Sequence, residues 1–209
     1  MRIINAQVFL EQALNQEEVL RHIEKAGRVC YKSESKISSH SAEVFVENIL
    51  RSGHESVIEH YSITFRIICD RGVTHELVRH RIASYSQEST RYCNYSNDAF
   101  KNELTFIKPC FWSETDNNYF IWKDAMQNAE NYYLELIKNG AKPQEARDVL
   151  PNSIKTEIYV TMNIRSWRNF IRLRTSKRAH PQMREIAIMI YQILCENLPA
   201  FFGDIEIEP

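Results

Sequence analysis

Two arginines flank a histidine at Arg79-His80-Arg81, and after seven residues Ser89 follows, with Arg91 just beyond it. A guanidinium presents a rigid fork of donors that matches phosphate oxygens in pairs, so this density of donors suits a bound phosphate or another anion. At roughly 100° per residue, Glu76, Arg79 and His80 fall on one side of a helix. The polar stretch after it adds Gln87, Ser89 and Arg91. A solvated helix end with salt bridges is the plain reading of this segment; anion or nucleotide binding is the functional one.

A second basic segment, NIRSWRNFIRLRTSKRAHPQMR at 163–184, carries six arginines and one lysine with no acidic residue. On a helix Arg165, Asn169 and Arg172 share one face, Trp167, Phe170 and Ile171 supply an apolar one, and Arg174 falls near their boundary. Positive charge this dense is costly to pack unless something anionic sits against it. A solvated face or an RNA-binding helix with interleaved aromatics are the alternatives. GHESVIEH at 53–60 has two histidines and two acids besides, but position 58 is Ile58, so the H-E-x-x-H zinc pattern fails and a polar turn is the simpler reading. Arg147, in EARDVLP, says nothing alone. There is no G-x-S-x-G, no G-x-G-x-x-G and no Walker A loop, so a dinucleotide can bind only through side chains.

The elements that must carry these residues are read from periodicity. Residues 2–9 alternate like a strand, and 15–29 have helical spacing with Glu17 and Glu18 in the first turn, where the macrodipole favours acids. A polar loop at 33–40 leads to a helix over 41–52, with Ser41 as N-cap and Gly53 as stop. ITFRIICD at 63–70 is a strand. Residues 72–81 read as a helix and 82–100 as a long ordered loop, of the kind that is more often functional than idle. The longest helix, 114–139, ends at Gly140; its aromatics (Tyr119, Phe120, Trp122, Tyr132, Tyr133) call for a core or a subunit interface. A short helix at 143–149, a strand at 154–162 and helices at 164–174 and 182–197 complete a mixed α/β domain with helices packed on a sheet.

Composition narrows the function classes. A chain of 209 residues with 44% hydrophobic and 25% charged residues is an ordinary globular domain. Its net charge of -1 argues against non-specific nucleic-acid binding, which needs a basic excess. The 5 cysteines form no C-x-x-C pair, so no zinc site is expected, and an odd number fits a reducing compartment. No apolar run approaches the ~18 residues of a membrane span, and no secretory h-region is visible. These features predict a soluble, cytoplasmic protein with no metal.

Taken together, the four segments resemble the flavin-dependent thymidylate synthases. Arg79-His80-Arg81 with Ser89 matches the family's R-H-R-x7-S, GHESVIEH its G-H-E-[ST]-x-x-E-H, EARDVLP its A-R-x-V-L-P, and NIRSWRNFIRLR its N-x-R-x-x-x-N-F-x-x-L-R. The likeness implies one domain over 1–209, with helices packed on a central, mostly antiparallel sheet. It implies methylation of dUMP to dTMP, with methylenetetrahydrofolate as carbon donor, reduced FAD as hydride donor and NADPH re-reducing the flavin. Arg174 matches the arginine that meets the uracil ring and is the implied catalytic residue, since a guanidinium there stabilises developing negative charge. Glu76, Arg79, Gln87, Ser89, Arg91, Arg147 and Arg174 match dUMP positions, with Ser89 a hydrogen-bond donor rather than a nucleophile. Ser56, Arg79, His80, Arg81, Gln87, Asn163, Arg165 and Asn169 match FAD positions, and His54 and His180 lie where flavin or folate is approached. The resemblance further implies a homotetramer with active sites where subunits meet, and no nucleic-acid or membrane partner.

Overall fold

A computed structural model describes residues 1–208. In chain order the elements are β1 (Arg2–Ile4), β2 (Gln7–Leu10), α1 (Gln16–Arg28), α2 (Ser41–Arg51), a 3-10 turn (Glu55–His60), β3 (Ser62–Asp70), α3 (Arg71–Leu77), β4 (Ala83–Gln87) and β5 (Thr105–Ile107). Then follow α4 (Asn117–Lys138), α5 (Pro143–Ala146), β6 (Lys155–Asn163), α6 (Ile164–Arg174), α7 (Pro181–Asn197) and α8 (Pro199–Phe202). The four-stranded antiparallel sheet has the order β2-β3-β6-β4, and β1 pairs with β5 in parallel, Ile3 opposite Phe106. The mixed α/β class with helices on a mostly antiparallel sheet is therefore as expected. No helix among the described residues is long and apolar enough to cross a membrane.

The chain gathers into two compact units, the first of residues 1–7, 67–79 and 85–159, the second of residues 8–66, 80–84 and 160–209. In the first, Leu104, Phe106, Tyr119, Trp122, Met126, Tyr133 and Ile154 form the core. In the second, α6 packs on α7 and on the turn at 55–60. Its Trp167 is fully buried, meets Phe65 and Phe170 edge-on at 5.1 and 5.5 Å, and donates its indole N–H to the Ile63 carbonyl at 3.0 Å. A buried indole whose one donor is satisfied contributes its apolar area without an offsetting desolvation cost.

Several local expectations change. The strand read over 2–9 is two strands in two sheets, because alternation is blind to a change of pairing partner between Ile4 and Gln7. Ser41 is not the N-cap of α2: His40 holds that position, and the Ser41 hydroxyl instead donates to Glu24 Oε2 at 2.9 Å. The helix predicted over 72–81 ends at Leu77, so Arg79 and His80 leave it and do not share a helical face with Glu76. Within the supposed loop 82–100, β4 forms an edge strand whose half-buried positions are Ala83, Tyr85 and Gln87. No large apolar side chain is fully buried there, so hydrophobic periodicity does not register it. Of the α4 aromatics, Tyr119, Trp122 and Tyr133 are core, whereas Phe120 and Tyr132 stay 54% and 59% exposed.

Candidate functional site

In the first unit, the Asp70 carboxylate caps α3 by accepting from the Val73 amide at 2.8 Å. This fixes the turn that carries Arg71, whose own amide donates to the Asn152 carbonyl at 2.9 Å. Gln87 donates its Nε2 to two hydroxyls, Thr74 Oγ1 at 3.0 Å and Thr156 Oγ1 at 3.2 Å. The next residue, Glu88, is clamped to the sheet: its carboxylate accepts from Tyr95 Oη and Lys155 Nζ, both at 2.7 Å, and its amide donates to the Glu157 carbonyl at 2.8 Å. Burial, reinforced by Glu88, pushes the Tyr95 phenol well above its usual range, so it remains a donor. From that anchor the chain turns at Ser89, whose carbonyl accepts from the Tyr92 and Cys93 amides at 3.1 and 2.9 Å. The Ser89 hydroxyl accepts from the Arg91 amide at 3.3 Å, and Arg91 Nε donates to Gln144 Oε1 at 3.3 Å.

Beside this turn lies a cleft of about 360 Å³, bordered by Arg71, His75, Thr90, Arg147 and Asp148. Arg71 borders this cleft, and its Nη1 is buried with no hydrogen-bond partner among the described residues. A buried cationic donor left unsatisfied costs ~1–3 kcal/mol or more, and an anion in the cleft removes that cost. The donor set therefore fits a phosphate. Arg71→Met is expected to weaken nucleotide affinity by about tenfold, as for one charge-assisted bond; calorimetric titration with dUMP checks this.

In the second unit, the Asn163 side chain caps α6 by accepting from the Ser166 amide at 2.8 Å. The helix then runs over 164–174 as the spacing predicts, burying Trp167, Phe170 and Ile171 and exposing Arg165, Asn169 and Arg172. Its positive charge is compensated by distant acids. Arg168, only 1% exposed, makes a bidentate pair with Asp204 at 2.6 Å on both oxygens, donates to the Phe201 carbonyl, and reaches Glu55 at 3.4 Å. Glu55 also accepts from Arg172 at 3.2 Å, and Arg165 pairs with Glu59 at 2.5 Å. The acids of GHESVIEH thus neutralise arginines of α6. His54 and Ser56, on the same turn, are exposed. A guanidinium, two amides, a hydroxyl and an imidazole stand on that turn and on the helix it packs against, groups of the types that can donate to pyrophosphate oxygens and base edges.

At the end of α6, half-buried Arg174 donates its Nε to His80 Nε2 at 2.9 Å, and the His80 ring meets Phe170 edge-on at 5.0 Å. Burial, with the Arg174 guanidinium second, pulls the imidazole down to about 4. Two residues on, Ile82 has φ +63° and is 75% exposed. A β-branched residue in the left-handed region is a strained conformer, and its place directly after Arg81 puts that strain at the motif.

The sequence profile of a family described as thymidylate synthase complementing protein matches residues 13–200. A flavin-dependent thymidylate synthase of Geobacter sulfurreducens is 37% identical over 186 residues, covering 86% of this chain and 78% of that one. The chain belongs to the flavin-dependent thymidylate synthase family. Another such enzyme, from Pyrococcus furiosus, is 41% identical over 157 residues, 75% of this chain; the aligned part spans 64% of that relative, just under two thirds. In fold, the chain is similar to a UMP/dUMP methylase, PolB, of Streptomyces cacaoi, solved with 5-Br dUMP: TM-score 0.79, 24% identity, covering 97% of this chain and 96% of that one.

Within this family frame, the first unit holds Glu76, Arg79, Gln87, Ser89, Arg91 and Arg147, with Arg147 and Thr90 bordering one cleft. The second holds His54, Ser56, His80, Arg81, Asn163, Arg165, Asn169, Arg174 and His180. Among these, Asn163, Arg165, Asn169 and Arg174 share α6 and its cap, while His180 occupies the N-cap position of α7 and is exposed. Residue reasoning missed Arg71, although Arg71 and His75, four residues apart, share one side of α3. Ile82 carries no sequence signal, since strain at a non-glycine residue is invisible in composition.

Proposed function

We propose that the chain methylates dUMP to dTMP reductively, with methylenetetrahydrofolate as carbon donor. The observation that carries this reading is that Arg174, half-buried and hydrogen-bonded at Nε, ends the helix that carries Arg165 and Asn169 and is capped by Asn163. Bound FAD, reduced by NADPH, supplies the hydride. Ser56, His80, Arg81, Gln87, Asn163, Arg165 and Asn169, with Arg79, hold it, and His54 and His180 stand toward the flavin or folate. Ser89, Arg91 and Arg147 bind the nucleotide phosphate, joined by Arg71. Gln87 and Glu76 orient the nucleoside. Arg174 meets the pyrimidine and stabilises the negative charge that develops on it.

Two further observations favour this over a polynucleotide-binding helix or a cysteine enzyme. Arg165, Arg168 and Arg172 are each paired with carboxylates, so α6 is not a bare cationic face. Burial pushes the thiols of Cys69, Cys93 and Cys195 upward, which disfavours the nucleophilic thiolate at those three positions. A homotetramer with active sites at subunit contacts is part of the proposal. It is supported by the apolar side chains of Phe120, Ile121, Tyr132 and Leu136, which α4 leaves exposed in the single chain.

The test is a visible spectrum of the purified protein with FAD, before and after NADPH, followed by an assay of dTMP formation. Flavin bands that bleach with NADPH, together with folate-dependent dTMP, are the expected result. A protein that retains no FAD and forms no dTMP overturns the reading.

A further inference from the structure

We propose that His80 is a positioning residue for Arg174: its Nε2 accepts the Arg174 Nε–H and sets the plane in which the guanidinium meets the pyrimidine. This adds a role to the flavin contact implied for His80 and rests on the reading of Arg174 given above.

Arg174 is the last residue of α6, where the helix passes into a C-cap at Thr175. An arginine side chain holds ~2 kcal/mol of rotamer entropy. At a helix end that freedom must be removed if the charge is to stand ready where negative charge develops, since catalysis of this kind depends on preorganisation. The bond to His80, at 2.9 Å, removes it at the atom closest to the guanidinium plane's pivot.

The acceptor is itself held. The His80 ring packs edge-on against Phe170 at 5.0 Å with 71° between planes, and Phe170 is a fully buried residue one helical turn before Arg174. Phe170 in turn meets Trp167 at 5.5 Å and 90°. Imidazole and guanidinium are thus referenced to one rigid stretch of α6. Past Arg81 the backbone enters its left-handed conformation at Ile82, with φ +63°. Such strain persists only where surrounding contacts over-determine it.

An acceptor at Nε2 requires a neutral ring with its proton on Nδ1. Burial and the neighbouring guanidinium keep His80 in that form, at about 4. A protonated ring would lose the acceptor and repel Arg174.

The test compares His80→Gln with His80→Asn, each also in an Arg174→Ala background, at saturating FAD. The glutamine carbonyl reaches the place of Nε2; the asparagine carbonyl stops one methylene short. The expected result is a kcat at least about tenfold lower for His80→Asn than for His80→Gln, each compared at the FAD concentration that saturates that variant by absorbance. In the Arg174→Ala background the two are expected to be alike, because coupled residues are non-additive. Equal kcat for Gln and Asn with Arg174 present, or an undiminished difference without it, overturns the positioning role alone. Normal turnover of Arg174→Ala by itself overturns the reading of Arg174 and the proposal with it.

Discussion

Arg174→Ala is expected to lower dTMP formation by ~10²-fold or more while leaving flavin absorbance unchanged. The magnitude is that of removing one preorganised charge contact made in the transition state. Its signature is a fall in kcat and kcat/KM together; a rise in KM alone would mark Arg174 as a simple binding group. Folding should survive, because the residue sits at the end of α6 and is half-buried, whereas the packing of that helix rests on Trp167, Phe170 and Ile171. Rapid-mix kinetics with dUMP and methylenetetrahydrofolate at saturation make the measurement. Near-normal turnover would remove Arg174 from the chemistry.

What could be read from the chain divides along the range of the interactions involved. The span of α6 was legible to the residue, because its signals are local: an apolar stripe at Trp167, Phe170 and Ile171, and arginines on the opposite side. Strand β4 was not, because its half-buried face carries Ala83, Tyr85 and Gln87 rather than large aliphatic side chains. The early end of α3 escaped because helical spacing continues formally through His80, while the Arg79 amide donates to Glu76 three residues back, at 3.1 Å, in a tightened turn. The excess of positive charge over 163–184 called for something anionic against it, and acids of this chain supply part of that. These acids are Glu55, Glu59 and Asp204, up to 117 positions away for the pair of Arg172 with Glu55. Only the fold brings them together. The same holds for His80 and Arg174, 94 positions apart: each was legible as a site residue, but their hydrogen bond was not.

Arg168→Ala is expected to be the most destabilising substitution in the basic segment, at about 3 kcal/mol or more. The residue is 1% exposed and its guanidinium serves three partners, the Asp204 carboxylate, Glu55 and the Phe201 carbonyl. Truncation leaves a void in the second unit and unpaired acceptors around it, two costs that add. Because Asp204 is half-exposed and can rehydrate, the low end of the buried-pair range applies. For a chain of this length that corresponds to a fall in Tm of about 6 °C or more, measurable by differential scanning calorimetry. The pH dependence gives a second reading of the same pair. The hydrogen bond from Arg168 holds the Asp204 carboxyl below its ordinary value. A depressed carboxylate contributes stability that is fully present above its unfolded pKa, about 3.9, and is lost as pH falls through the lower folded value. In Arg168→Ala that depression disappears, so the stability gap between wild type and variant should be widest near neutrality and narrow below about pH 4. A gap that stays constant into acid would assign the loss to packing around the missing side chain and not to the ion pair.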